Sequence, residues 1–273
     1  MSQAMNKALL YLDEDLASSM ALRFAAEHAG ELGLILQPFH VADEEGRSPE
    51  NLGWANLSLE KALLAGGLDK VNRLIRTENI DRYRVCEPKV VLGDRNRETL
   101  RELTDGGYSL YVEGYVGRQD TADFVRMLAG PRFRNSPCPI LLVKHLVAHR
   151  QLILLLDRDT NVAGVISGMS GLYGEAAGNI DLTVIFYRSA ESGELVFQER
   201  KKWASLDLAE AMLAEKGWPE PEWLVVESPP DLMAGYLRGH GLVAAPCPES
   251  RSERARLLAC LANPVLLFPE EQA

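Results

Sequence analysis

Two stretches decide the fold: Ala8-Leu9-Leu10-Tyr11-Leu12-Asp13-Glu14-Asp15 and, 144 positions later, Leu152-Ile153-Leu154-Leu155-Leu156-Asp157-Arg158-Asp159. Each is a continuous apolar run that ends in an acidic residue, the pattern of a strand buried on both faces rather than of a half-exposed one. Helical spacing follows in both places. Met20, Leu22, Phe24, Ala25 and Leu32 lie within Ser18 to Gly33, and Asn161 to Gly178 is a helix candidate closed by glycine. Second strands come next, at Leu34 to Val41 and at Ile180 to Tyr187, and Leu57 to Ile75 reads as another helix. Strands separated by helices need crossover connections, which make the sheet parallel.

The later parts of the two halves repeat as well. Arg84 to Leu92 reads as a strand, Asn96 to Leu103 as a helix, Ser109 to Val112 as a strand and Pro139 to Lys144 as a terminal strand. Glu222 to Glu227, Pro230 to Leu237, Gly241 to Ala245 and Pro264 to Phe268 play the same parts in the second half. The chain is therefore read as a tandem duplication of a doubly wound five-stranded parallel α/β unit, Rossmann-like, with domains at 1–146 and 147–273 and a linker at His145 to Arg150. Pairing of the two terminal strands would bury edges that otherwise invite aggregation.

Composition sets the bounds on function. The 273 residues are 47% hydrophobic and 25% charged, which excludes disorder, collagen and coiled coil and leaves material for one or two cores. The longest apolar runs, such as Leu152 to Leu156, fall far short of the roughly 20 residues of a membrane span. With Asp13, Glu14 and Asp15 close behind the N-terminal residues there is no secretory pattern, so a cytoplasmic location is expected. A net charge of −10 opposes nucleic acid and anionic membranes. The second half is the more acidic, with 11 basic and 18 acidic residues from position 147 onward, so a phosphate would favour the first. Cys86, Cys138, Cys247 and Cys260 form no CxxC, which fits reduced thiols better than a zinc site.

Three segments carry a family resemblance: Val90-Val91-Leu92-Gly93-Asp94-Arg95-Asn96-Arg97-Glu98-Thr99-Leu100, then Gly107 to Gly117, then Ser136-Pro137-Cys138-Pro139-Ile140-Leu141-Leu142-Val143. Their order and spacing resemble the second half of a universal stress protein domain, and the tandem members of that family are the closest group. The resemblance implies a stress-response protein without catalytic residues and, because many members bind ATP, an adenine nucleotide as ligand. It places Asp13 on the ribose or adenine side and Val41 at the adenine, with Gly114 and Gly117 as the first pair of the phosphate motif. That motif continues with a glycine nine residues on and then Ser or Thr. Here Met127 and Leu128 stand at those places, and the next glycine, Gly130, is followed by Pro131, which has no N–H. ATP is accordingly expected to bind weakly or to have been lost. In the second half Pro246 stands where Gly114 does in the first, although Asp157 matches Asp13.

Blander readings stand beside these. A strand-end Asp commonly caps the next helix, and a strand-end Val is commonly core. Gly164, Gly168, Gly171 and Gly174 read as a helix-packing stripe, His145 and His149 as solvated histidines without a third ligand, and Arg200 to Trp203 as a solvated helix face. No GxSxG elbow, Walker A lysine or HExxH helix occurs. Two further readings remain open: an enzyme of the adenine-nucleotide alpha-hydrolase-like group, and a ligand-free regulatory module acting through protein partners, with a homodimer as one assembly. The enzymes usually carry a Ser-Gly-Gly loop after the first strand, which Asp13 to Ser19 does not resemble.

Overall fold

The structure is a computed structural model that describes residues 6–43, 54–80, 82–116, 121–146, 151–191, 193–200, 203–249 and 252–269. The chain divides into two compact units, residues 1–115 with 130–138, and residues 116–129 with 139–273.

In the first unit, β1 (Asn6–Tyr11), β2 (Leu34–Ala42), β3 (Lys89–Leu92) and β4 (Leu110–Gly114) form a parallel sheet in the order β3-β2-β1-β4. The connections are α1 (Leu16–Ala29), α2 (Trp54–Thr77) and α3 (Arg95–Gly106), and α5 (Pro131–Arg134) also belongs here. Leu9, Leu10, Leu12 and Phe39 are fully buried, as expected of strands covered on both faces. Side chains close the helix ends. Asp15 caps α1 by accepting from the Ser18 N–H at 2.7 Å, and Asp94 caps α3 by accepting from the Arg97 N–H at 2.9 Å. Gly107, at φ 61°, ends α3 in the left-handed conformation that glycine allows without strain.

The second unit holds α4 (Thr121–Leu128), β5 (Ile140–Val143), β6 (Gln151–Leu156), α6 (Val162–Tyr173), β7 (Asp181–Ser189), β8 (Val196–Gln198), α7 (Ala204–Glu215), β9 (Glu222–Ser228), α8 (Pro230–Leu237), β10 (Leu242–Pro246), α9 (Glu253–Cys260) and β11 (Val265–Phe268). Its strands run in the order β5-β11-β10-β6-β7-β9-β8, parallel from β11 through β9. The order β9-β7-β6-β10 repeats β3-β2-β1-β4, so the duplication read from the two strand-end aspartates is present in the topology. The terminal strands do lie side by side: β5 and β11 are antiparallel, with Leu141 opposite Leu266.

Three local differences have physical causes. The strand expected from Arg84 is confined to Lys89–Leu92, because a 3-10 turn occupies Arg82–Arg84, Val85 makes only an isolated bridge to Leu36, and Pro88 interrupts the segment before continuous pairing begins at Lys89. The helix expected to reach Gly178 stops at Tyr173, where Gly174 takes φ 50° and a tighter 3-10 stretch follows. The second copy also gains an antiparallel edge strand, β8, whose register sets Phe197 opposite Val226. Of the glycine stripe, Gly168 has a clear packing reason, since a Cβ there would lie 2.6 Å from the Phe268 ring.

Candidate functional site

Ligands in open parallel sheets bind outside the carboxyl ends of the strands where the strand order reverses. In the first unit that place lies beyond β1 and β4. Asp13 is half-buried there, two residues past β1. Its N–H donates to Ser18 Oγ at 2.7 Å, and its Oδ1 accepts from the Glu14 N–H at 2.8 Å. The helix cap is Asp15, so capping does not explain Asp13. Among the described residues the second carboxylate oxygen of Asp13 accepts no hydrogen bond.

Val41 is buried at 7% exposure, opposite Val91 in the β2–β3 register, and fits the core reading. Gly114 ends β4 against the start of α1, where a Cβ would lie 1.9 Å from the Ala17 carbonyl oxygen. Close backbone packing therefore requires glycine here whether or not a phosphate approaches. Gly117 lies outside the described residues. Met127 and Leu128 form the last turn of α4, with Leu128 buried, while Gly130 sits at the N-cap of α5 and Pro131 at its first position.

Beside these residues lies a charge cluster drawn from three separate segments. Glu113 on β4 is 4% exposed. Arg132 grips it in bidentate fashion, with Nε donating to Oε2 at 3.1 Å and Nη2 to Oε1 at 2.8 Å, and its Nη1 donates to Asn96 Oδ1 at 2.7 Å. Arg95 Nη2 also donates to Oε1 at 2.8 Å, the Tyr111 hydroxyl donates to Oε2, and the Arg95 guanidinium lies 3.8 Å over the Tyr11 ring. Burial pushes the Tyr11 hydroxyl up to about 12, against the opposing pull of Arg95, and drives Tyr111 well above the usual phenol range. Both phenols thus stay protonated near neutrality and offer no base or nucleophile. Glu113 partly neutralises the two guanidiniums and joins α3 and α5 to β4. No motif spacing links positions 95, 113 and 132; only the parallel register brings Tyr11 and Glu113 to neighbouring places.

The second unit has a cleft of about 770 Å³ at the corresponding strand ends, lined by Asp157, Arg158 and Asp159 after β6, by Arg188 and Ser189 of β7, and by Arg254 of α9 among others. Asp157 does not resemble Asp13 in its bonding. Arg254, 6% exposed, donates from Nε to Oδ2 at 2.7 Å and from Nη2 to Oδ1, while Thr160 Oγ1 and the Asp159 N–H donate to Oδ1 at 2.8 and 3.0 Å. Burial raises this carboxyl, but the Arg254 bonds and charge outweigh it and hold the group below its ordinary range. Pro246 ends β10 paired with Phe268 and, as an imino acid, has no N–H to give a ligand.

Among the described residues, no three His, Cys, Asp or Glu side chains converge as a metal site, and no helix is long and apolar enough to cross a membrane. His145 Nδ1 lies 2.9 Å from the Leu146 carbonyl oxygen, and His149 lies outside the described residues. Arg200 is exposed and Trp203 is the N-cap of α7; Lys201 and Lys202 also lie outside.

No protein-family model matches the sequence, and no curated protein matches it. Among solved structures, the chain is similar to a universal stress protein from Archaeoglobus fulgidus DSM 4304, at 15% identity and a TM-score of 0.65 over 98% of this chain and 97% of that one. It is also similar to a functionally unknown protein from Pseudomonas aeruginosa PAO1, at 16% identity and a TM-score of 0.59 over 98% and 94%. The fold is that of the universal stress proteins, with the α/β unit carried twice on one chain.

Proposed function

We propose that this chain is a non-enzymatic, cytoplasmic stress-response protein of the tandem universal stress protein type, with copies at 1–146 and 147–273 and one weak adenine-nucleotide site in the first copy. Asp13, Val41, Gly114 and Gly117 form that site in this reading, and ATP is the nucleotide to test. The observation that carries it is the difference between the duplicated aspartates. Asp13 keeps a carboxylate oxygen without a partner among the described residues, available to a ribose hydroxyl or a base N–H, whereas both oxygens of Asp157 are held by Arg254.

Weakness follows from the surroundings. The arginines nearest the β4 end already share Glu113, and Pro131 follows the glycine that could serve the phosphate. A catalytic role lacks support because the clustered phenols stay protonated and the buried Glu113 is already bonded. A ligand-free regulatory module is the second reading, favoured by the packing reason for Gly114.

Calorimetry of the full chain with ATP, in wild type and Asp13→Ala, tests the first reading. One weak site per chain that Asp13→Ala abolishes is the expected result. Two equivalent sites would overturn it, and no heat at millimolar ATP together with no copurifying nucleotide would leave the ligand-free module.

A further inference from the structure

β8 ends the strand order of the second unit, and among the described residues its outer edge has no partner strand. This edge is apolar: Val196 is 44% and Phe197 51% exposed. Phe197 meets the Tyr236 ring of α8 edge-on at 5.5 Å, which leaves an aromatic pair beside open backbone donors and acceptors. Natural edges usually avoid this combination, because unpaired N–H and C=O groups flanked by apolar side chains template further strand pairing.

The sequence around the edge complements itself. In an antiparallel pairing of two copies centred on Phe197, that residue faces its own counterpart, Val196 faces Gln198, and Glu194 faces Arg200, each of the latter contacts occurring twice. Strand-like alternation reaches Arg200, because the β8–β9 register extrapolates to Arg200 opposite Trp223 and its guanidinium lies 4.3 Å over that ring, where Nη2 donates to Glu210 Oε2 at 2.5 Å and the other nitrogens can serve a second carboxylate. Glu194 is exposed at the other end. Any other register would lose the doubled Glu194–Arg200 contact or move Phe197 away from its own counterpart.

We propose that β8 is a homodimer interface, in which two copies of this chain pair their β8 edges antiparallel about a twofold axis through Phe197. Backbone hydrogen bonds then extend the second unit's sheet across the axis. The two Phe197 and two Tyr236 rings form the apolar centre, and Glu194 with Arg200 of the other copy flanks it on each side. The short contact makes a weak, concentration-dependent dimer, and the pairing does not depend on nucleotide binding.

Sedimentation equilibrium of the full chain over the micromolar range tests this. Wild type should pass from monomer to dimer, and Phe197→Asp should stay monomeric while still unfolding cooperatively, with a midpoint lowered only by the loss of the Tyr236 contact. Glu194→Arg alone sets Arg against Arg twice, and Arg200→Glu alone sets Glu against Glu twice, so each should weaken dimerisation about tenfold. An equimolar mixture of these two variants restores both opposite-charge contacts and should dimerise about as tightly as wild type. A monomer at every concentration, a dimer indifferent to Phe197→Asp, or a mixture no tighter than its separate components would each overturn the proposal. Because Glu194→Arg alters only an exposed side chain, it remains informative if Phe197→Asp proves unstable.

Discussion

Gly114 and Ala17 approach so closely that a Cβ on the glycine would lie 1.9 Å from the Ala17 carbonyl oxygen and 2.9 Å from its Cα. The obstacle is backbone at the first turn of α1, which cannot swing aside as a flexible side chain does. Gly114→Ala should therefore force β4 and α1 apart and cost about 3 kcal/mol, the upper part of the usual range for overpacking. Denaturant midpoints without nucleotide check this. A change below about 0.5 kcal/mol would mean that the two segments separate easily and that the glycine needs another explanation.

Asp157 and Arg254 lead to a prediction with a pH signature. Asp157→Asn removes the carboxylate charge that two Arg254 nitrogens grip, a loss of about 3 kcal/mol near neutrality once the partial exposure of the carboxylate is allowed for. The folded carboxyl titrates below its ordinary value of 3.8, so the folded state binds fewer protons than the unfolded state near that pH. The stabilisation is thus fully present above the ordinary value and disappears as pH falls through the lowered one. Wild type and Asp157→Asn should differ at pH 7 and converge in strong acid. A constant difference down to the lowest pH would show that the carboxylate charge is not the origin.

How much of this was legible in the sequence depends on the range of the interaction. Tyr11 to Asp13 and Leu156 to Asp157 disclosed the duplication because a strand buried on both faces must be continuously apolar. The terminal strands announced their pairing because both are apolar and equally placed in their copies. Helix ends were less legible, since the stop at Tyr173 depends on the conformation of one glycine. The Arg95–Glu113–Arg132 cluster was not legible, because its members meet only through the register of β1 with β4 and the placing of α3 and α5. The same cause hid the inequality of Asp13 and Asp157. Both look alike in the chain, and Arg254, 97 positions after Asp157, makes them different.

Lys144, just after β5, sits over the C-terminal end of α9. Its Nζ donates to the carbonyls of Leu258 at 2.6 Å and Leu261 at 3.2 Å and lies 4.1 Å from the centre of the Phe124 ring. Burial pulls the ammonium down to about 7 from its ordinary 10.5. Between those values the unfolded chain holds a proton that the folded chain has lost, so stability should rise with pH across that interval. Urea midpoints at pH 7 and pH 9 should show wild type gaining on Lys144→Met. A wild type that gains nothing relative to the variant would mean that the carbonyls and the ring keep the ammonium charged.

Pro131 offers a way to separate a damaged phosphate motif from an absent one. Substituting Gly and Ser at Met127 and Leu128 would restore the motif's letters at the wrong place, because both residues lie in the last turn of α4 and Leu128 is buried. Gly130 is better placed: it is extended, at φ −64° and ψ 149°, and opens α5. Pro131→Ser would supply both the hydroxyl and the N–H that the imino acid withholds, adding up to two hydrogen bonds to an ionised phosphate, each contributing about 1.5 to 3 kcal/mol at best. Part of this gain is lost, because proline at the first helical position holds φ ready and restricts the unfolded chain by up to about 1 kcal/mol. Further loss comes from Glu113, which lies beside Arg132 and repels a phosphate that approaches both. A net tightening of ATP binding of about tenfold, or 1.4 kcal/mol, is the expected outcome by calorimetry, with adenosine affinity unchanged. Equal gains for ATP and adenosine would mean that the serine acts on the base or the fold rather than on phosphate. An ATP affinity unchanged in the folded variant would mean that Gly130 is a turn residue and that the first copy, like the second, no longer handles phosphate.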